Sequence, residues 1–135
     1  MKMLTSNTWK APKDYKVYCF GGIAKYVMVC IGRGHGTNGR AKYYFFDENW
    51  KLARIDRDSF EAPKNFSVEK PVVYDKMIQY AEKLAKPFPF VRVDFFVSEN
   101  KLYFGELTFT PDRNLDTDIF PETDKMFGDL ILLKR

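Results

Sequence analysis

The sequence predicts an α+β fold in which an antiparallel sheet of hairpins packs on one or two helices. Two observations predict it. Short runs of aromatic and β-branched residues are separated by turn residues, which is typical of hairpins. One segment between them has apolar residues at helical spacing. The 135 residues are 45% hydrophobic and 17% aromatic, which suits a single domain over 1–135 and excludes a disordered chain.

The first hairpin follows a loose N-terminal segment, residues 1–13. Its predicted strands, Asp14–Phe20 and Ile23–Ile31, are joined by two glycines that favour a tight turn. The aromatic run Lys42–Asp47 predicts a third strand, and Trp50–Ile55 is a candidate to extend its hairpin. All of these strands lie in the first half of the chain.

The strongest helix prediction is Val72–Ala85, after an irregular stretch over 56–70. Pro71 suits a first helical turn, and Pro87 ends the pattern. Pro121–Leu132 is predicted as a short C-terminal helix. The apolar positions of the first helix are Val73, Met77, Ile78, Ala81, Leu84 and Ala85.

The last two strands are predicted as Phe90–Val97 and Lys101–Phe109, around a turn at Ser98–Asn100. In this register the numbers of paired residues sum to about 200. Side chains alternate between the two faces of the sheet. The face packed on the helix is predicted to contain Val91, Val93, Phe95, Val97, Tyr103, Leu107 and Phe109.

On the other face of this hairpin, Asp94 is predicted opposite Glu106, and Arg92 opposite Thr108. Two directly opposed carboxylates repel each other, so the arrangement makes sense if a cation lies between them. Oxygen ligands favour Mg²⁺. A register shifted by one residue would instead leave Asp94 solvated and pair Glu106 with a lysine. Geometry alone leaves both readings open.

The glycine-rich connection Gly32–Gly39 formally matches G-x-G-x-x-G. A strand follows it where a dinucleotide-binding fold requires a helix, and no Gly-Lys-Ser/Thr closes a phosphate loop. We expect a mobile loop that closes over a ligand, with Arg33 and Arg40 as anion contacts. His35 is expected to be an exposed polar residue within it.

Cysteine usage predicts buried reduced thiols. Cys19 and Cys30 lack the paired spacing of a metal site, and the glycine turn places Cys19 opposite Ala24, far from Cys30. No apolar run approaches the length of a membrane span, and the first residues lack the apolar core of a signal peptide. These observations favour a cytoplasmic protein that does not bind membranes.

Charge is unevenly distributed. Residues 1–57 carry 11 basic and 4 acidic groups, or +7, and the remainder carries 11 and 14, or −3. A basic half beside an acidic half suits a site where cations hold an anion and carboxylates hold a metal, and it equally suits a dimer or solvated charge. The aromatic and basic run Lys42–Phe46 is also compatible with a nucleic-acid-binding protein, because aromatic side chains can stack on bases. The RNP signature of such sheets is missing, which disfavours this function.

Residues 88–112, FPFVRVDFFVSENKLYFGELTFTPD, resemble the metal-binding end of an ATP-grasp ligase. Three further segments, 14–27, 47–52 and 76–94, narrow the resemblance to ATP-grasp proteins of the teichuronopeptide-biosynthesis (TupA) type. Such proteins are found among bacterial genes for capsule and cell-surface polysaccharide. The resemblance covers nearly all of residues 14–135 and implies the fold of an ATP-grasp C-terminal lobe.

The resemblance implies a ligase in which ATP activates a carboxylate as an acyl phosphate, which an amine then attacks. Asp94 and Glu106 match the carboxylates that hold Mg²⁺. Thr108 stands where the wider superfamily has Asn, which implies a weaker metal ligand. Arg92 matches the catalytic arginine that steadies the anionic intermediate.

Two further cations match nucleotide-binding positions of related ligases. Lys16 corresponds to a basic position that faces the phosphates, and Arg40 is a weaker candidate for the same role. Thr110-Pro111-Asp112 lacks a glycine that the family has after the proline. Only 13 residues precede Asp14, so the first ATP-binding lobe is expected to come from another chain or subunit.

Two functional classes therefore remain from the sequence. One is an ATP- and Mg²⁺-dependent carboxylate–amine ligase, or the metal-binding half of one, in surface-polysaccharide assembly. The other is a non-catalytic remnant or scaffold of the same fold. Loss of one lobe would expose apolar surface, so we also expect self-association, as a dimer.

Overall fold

The structure is a computed structural model that describes residues 13–31, 41–109 and 120–133. The Gly32–Gly39 loop, Arg40 and the segment Thr110–Asp112 lie outside these residues. The elements are β1 (Lys13–Phe20), β2 (Ile23–Ile31), β3 (Lys42–Phe46), β4 (Leu52–Ala53), α1 (Arg57–Glu61), α2 (Tyr74–Ala85), β5 (Phe90–Ser98), β6 (Lys101–Thr108) and α3 (Pro121–Leu133).

The strands form one antiparallel sheet in the order β4-β3-β2-β1-β5-β6. Both tight turns form as two-residue connections with left-handed backbone. Gly21 and Gly22 have φ of 61° and 84°, and Glu99 and Asn100 have φ of 53° and 62°. The predicted α+β class, an antiparallel sheet of hairpins with few helices, is confirmed.

The two faces of the sheet carry separate cores. On one face, Met77, Ala81 and Ala85 of α2 pack on β1, β2 and β5 and are fully buried. On the other, Phe127 of α3 lies among aromatic rings, with centroids 5.4 Å from both Tyr18 and Phe20. We call these the α2 face and the α3 face. The sheet is therefore held between two helices.

The aromatic strand β3 is buried on both faces. Tyr43 and Phe45 join the α3-face core, and Tyr44 and Phe46 join the α2-face core. Because all four rings are buried, they are not a platform on which bases could stack. The aromatic residues of β3 therefore no longer support the prediction of nucleic-acid binding.

The two cysteines behave as predicted. Both are buried and free. Cys19 pairs with Ala24 across the first hairpin, whereas Cys30 pairs with Asp14 at the other end. Burial raises the pKa of the Cys19 thiol to about 12, so this thiol stays protonated and unreactive at neutral pH.

Residues 56–70 were predicted to be irregular, which is wrong at their start, because α1 occupies Arg57–Glu61. Asp56 is the N-cap of this helix and accepts a hydrogen bond from the Ser59 N–H. The side chains of Asp58 and Ser59 accept hydrogen bonds from the backbone N–H groups of Tyr43 and Phe45, respectively, at 3.0 Å each. This short helix thus caps donors on β3 that β4 is too short to cover.

Smaller differences concern the ends of elements. The predicted extension Trp50–Ile55 pairs only over Leu52–Ala53, because Trp50 has a φ of 59° and belongs to the turn. Helix α2 begins at Tyr74, two residues later than predicted, and Val72 is 79% exposed before it. Among the described residues the longest helix has 13 residues, and none is long and apolar enough to cross a membrane.

Asp56 makes stability depend on pH. It is fully buried, its second carboxylate oxygen has no hydrogen-bond partner in the structure, and burial raises its pKa from 3.8 to about 7. A carboxyl with a raised folded pKa favours the folded state below its unfolded pKa, and this contribution is lost as pH rises through 7. We expect Asp56→Asn to melt higher than the parent at about pH 8 and similarly at about pH 4. Thermal melts across this range test it; a Tm difference independent of pH would contradict it.

Candidate functional site

The candidate site lies on the α3 face, where β1, β5 and β6 are neighbours in the sheet. Strands β1 and β5 pair so that Lys16 is opposite Asp94 and Asp14 is opposite Phe96. Alternation along each strand directs these four side chains to the same face. The sheet therefore brings together residues 78 positions apart in sequence, Lys16 and Asp94.

Strand β6 approaches the site with a β-bulge. Arg92 pairs with Thr108, as predicted. Nearer the turn, however, the paired numbers sum to 199, because Ser98 pairs with Lys101. The register changes beside Asp94, which leaves Gly105 and Glu106 both opposite this one residue. Neither predicted register is fully right. The sum of 200 holds only on the Arg92–Thr108 side of the bulge, and Asp94 is buried rather than solvated.

The glycine in the bulge has a steric reason. A Cβ at Gly105 would lie 3.1 Å from the Asp94 carbonyl oxygen and 3.5 Å from the Asp94 Cβ. These distances show how closely the bulged strand approaches the site carboxylate. The position thus favours a residue without a side chain.

The same bulge makes one predicted orientation wrong. Tyr103 was expected on the helix-packed face, but it stacks on Phe96 on the opposite face, with ring centroids 5.0 Å apart. Leu102 and Phe104 take the α2 face instead. Phe109 contacts Phe88 but remains 50% exposed. A single extra residue reverses the alternation of the strand on the turn side of the bulge.

The site contains a buried ion-pair network centred on Asp94. Its Oδ2 accepts hydrogen bonds from Lys16 Nζ and Arg92 Nη2, each at 3.0 Å, and its Oδ1 accepts one from Arg92 Nε at 2.9 Å. Arg92 and Asp94 are both buried, at 6% and 7% exposure. One carboxylate is therefore held by two cations, and this cluster carries a net positive charge.

Arg92 is held firmly but is not fully satisfied. Burial alone would lower its pKa, but the hydrogen bonds and charge of Asp94 outweigh burial and raise it. Its Nη2 also donates to Thr108 Oγ1 at 3.3 Å. Its Nη1 is buried without a hydrogen-bond partner in the structure. The Tyr18 hydroxyl also interacts with this guanidinium, and because Nη1 is buried, Arg92 acts on the site through Asp94 and through its charge.

An open cleft of about 330 Å³ adjoins this network. Its polar lining is Asp14, Lys16, Asp94 and Glu106. Glu106 is exposed and faces the cleft from the bulge, whereas Arg92 and Thr108 lie outside the lining. The cleft therefore offers one ammonium group and the oxygens of three carboxylates on the neighbouring strands β1, β5 and β6.

This donor set suits Mg²⁺ bound together with a phosphate ligand. Mg²⁺ takes oxygen ligands and is commonly held by one or two carboxylates plus substrate phosphates rather than by an all-protein cage. Among residues 13–31, 41–109 and 120–133, no group of three or more acidic, histidine or cysteine side chains is arranged to hold a metal. Asp94 and Glu106 therefore fit such a shared site, to which phosphate oxygens would have to contribute.

Sequence reasoning named Lys16, Asp94 and Glu106 and missed Asp14 and Phe96. The signal for both was strand alternation, since Asp14 is two residues before Lys16 and Phe96 two after Asp94. Pairing of β1 with β5, which joins them, has no local signature. Arg40 lies outside the described residues, so its role stays a prediction.

Comparisons with known proteins give one family match and two similar solved structures. The family model of TupA-like ATPgrasp matches residues 2–132. No curated protein matches. One similar solved structure is the ATP-grasp ligase PsnB, complexed with a phosphomimetic variant of its minimal precursor, Mg and ADP, at 12% identity and a TM-score of 0.47. Another is the D-alanine–D-alanine ligase from Helicobacter pylori, at 15% identity and a TM-score of 0.40. They cover 95% and 92% of this chain, which spans 35% of each of theirs.

Proposed function

Because the chain belongs to the TupA-like ATP-grasp family, we propose that it binds ATP with Mg²⁺ and provides the metal- and phosphate-binding half of a carboxylate–amine ligase. The observation that carries this proposal is the cleft in which Lys16 and the two carboxylates Asp94 and Glu106 meet. A cation beside paired carboxylates is the arrangement that a metal–polyphosphate requires, since the phosphates need positive charge and the metal needs oxygen ligands.

Each residue has a defined part in this proposal. Asp94 and Glu106 would hold Mg²⁺, which when bound neutralises phosphate charge during phosphoryl transfer. Lys16 would contact the phosphates from β1, and Arg40 is a second candidate for that contact. Arg92 orients Asp94 through two hydrogen bonds, and its positive charge beside the cleft would stabilise an anionic group in the reaction.

Thr108 acts through Arg92 in this arrangement. Its hydroxyl accepts from Arg92 Nη2 and does not line the cleft. Its proposed role as a metal ligand would require the hydroxyl to leave this hydrogen bond. We expect it to contribute less than either carboxylate, because a neutral hydroxyl binds a cation more weakly than a charged oxygen does.

The size of the cleft bears on the partners. About 330 Å³ is near the lower limit of small-molecule pockets, which span roughly 300–1,000 Å³, so we propose that it holds the metal and phosphates while adenosine contacts other protein surface. A separate chain or another subunit would provide that surface. From the family resemblance we also propose a role in bacterial capsule or cell-surface polysaccharide biosynthesis, in the cytoplasm.

The test uses Glu106→Gln, which keeps the shape of the side chain and removes its charge. Mn²⁺ replaces Mg²⁺ as a spectroscopic probe, and electron paramagnetic resonance measures Mn²⁺ bound to the full chain with ATP. We expect Glu106→Gln to weaken this binding at least about tenfold, or 1.4 kcal/mol. Glu99→Gln, at the exposed tip of the same hairpin, is the matched control and should bind like the parent. Equal binding by both variants would exclude Glu106 as a metal ligand.

A further inference from the structure

Strand β6 forms one edge of the sheet. It is the last strand of the sheet, with no partner on its outer side among the described residues. Its side chains are unusually apolar for an edge: Tyr103 is 42% exposed and Phe104 is 53% exposed, on opposite faces of the sheet. Natural edge strands of this length are normally covered or paired, because their free N–H and C=O groups accept another strand.

The surface continues on both faces. On the α3 face, Tyr103 extends the stacked ring of Phe96. On the α2 face, Leu102 and Phe104 line an apolar groove of about 330 Å³ with Tyr80 and Leu84 of α2. An occupant that covered only one face would leave the other aromatic side chain in water. An added strand covers both, since its side chains alternate as those of β6 do.

We propose that the occupant is β6 of a second copy of this chain, paired antiparallel about a twofold axis at Tyr103. In this register Tyr103 lies opposite its own copy, and Leu102 lies opposite the partner's Phe104. Residues directly opposite in an antiparallel pair share a face. The two Tyr103 rings would therefore contact each other on the α3 face, and Leu102 would contact the partner's Phe104 on the α2 face.

Charge supports the same register. Lys101 pairs with Ser98, and Glu106 lines the cleft beside Asp94, so both project on the α3 face. Two residues from the twofold axis, Lys101 lies across from the bulge that contains the partner's Glu106. The one interface of the dimer would thus place two lysines, related by the axis, beside the acidic ends of the two clefts. A strand of unrelated sequence has no reason to match this pattern.

The arrangement also limits the assembly to two chains. The other edge of the sheet, β4, has only two residues and is flanked by the α1 cap. It offers too few backbone groups to extend the assembly, so the product is a dimer rather than a fibre. The Gly105–Glu106 bulge limits pairing beyond the central residues.

The experiment measures mass by light scattering on the full chain at tens of micromolar. The parent is expected at twice the 15.9 kDa of one chain. Tyr103→Lys would place two ammonium groups opposite each other at the axis and shift the mass to one chain. Phe60→Lys is the matched control, since Phe60 is 62% exposed on α1, and it should remain a dimer. A monomeric parent, or a dimer unchanged by Tyr103→Lys, would overturn the proposal.

A second measurement covers the case in which Tyr103→Lys fails to fold. Tyr103→Cys should form a disulfide-linked dimer under mild oxidation, because directly paired residues bring their Cβ atoms within bonding reach. Cys19 and Cys30 are buried and contribute no cross-link. Phe60→Cys should give none. Absence of a linked Tyr103→Cys dimer at concentrations where the parent is dimeric would exclude this register. Tyr103 lies outside the metal and phosphate contacts, so failure here leaves the proposed nucleotide binding untouched.

Discussion

Asp94→Ala should destabilise the fold by about 3–5 kcal/mol and abolish Mg²⁺-dependent nucleotide binding. The carboxylate is buried and accepts all three short hydrogen bonds from Lys16 and Arg92. Removing it leaves a guanidinium that is only 6% exposed without its counter-charge. A buried charge that loses its partner is strongly unfavourable, because neither water nor protein replaces the lost interaction.

Urea denaturation of the parent and variant measures this loss. The double variant Asp94→Ala/Arg92→Leu is expected to be more stable than Asp94→Ala alone, since it removes the stranded cation as well. Asp129→Ala is the matched control: Asp129 pairs with Lys125 at 3.2 Å on the exposed side of α3, with side chains 56% and 78% exposed. It should change stability by less than about 0.5 kcal/mol. Equal losses of stability for Asp94→Ala and Asp129→Ala would show that the buried ion-pair network does not stabilise the fold.

Lys16→Met should change two affinities in opposite directions. Without nucleotide, Lys16 Nζ occupies Asp94 Oδ2 at 3.0 Å, and a metal ion must displace this ammonium group or tolerate its charge nearby. Removing it should strengthen binding of Mn²⁺ alone by about tenfold, or 1.4 kcal/mol. With nucleotide, Lys16 is the ammonium group that lines the cleft, so its loss should weaken metal–ATP binding by about tenfold or more.

The first affinity is measured by electron paramagnetic resonance of Mn²⁺ and the second by calorimetry with Mg²⁺ and ATP. Lys25→Met is the matched control, because Lys25 forms a more exposed pair with Glu48 at 3.5 Å on another strand. It should leave both affinities unchanged. If Lys16→Met weakened both affinities or neither, Lys16 would not exchange between the carboxylate and the phosphates.

The sequence predicted the hairpins well because their signals are local. Paired glycines fixed the first turn, and the pairing of Arg92 with Thr108 followed from the second. That pairing is correct although the turn is one residue shorter than assumed. The extra residue in the bulge at Gly105 and Glu106 raises the sum of the paired residue numbers from 199 to 200. The isolated Gly105 inside the strand pattern is the local signal for this bulge. A longer turn predicts the same pairing of Arg92 with Thr108 without a bulge, and on that assumption Tyr103 was placed on the wrong face.

The remaining differences have similar causes. The site depends on β1 lying beside β5, which is a contact between distant parts of the chain and leaves no local pattern. Asp14 was missed for that reason. Helix α1 did have a local signal, an Asp N-cap with a second acid in the first turn, but its five residues are too few for an amphipathic pattern.

Binding of ATP through Mg²⁺ in this cleft is tested most directly by a calorimetric titration of the full chain with ATP, in Mg²⁺ and again in excess EDTA. We expect saturable binding with Mg²⁺ that is lost in EDTA, because Asp94 and Glu106 would contact the nucleotide only through the metal. Binding of equal strength in both buffers would contradict the carboxylate–metal site. Absence of binding in both, by a folded protein, would contradict the proposed nucleotide function of this cleft.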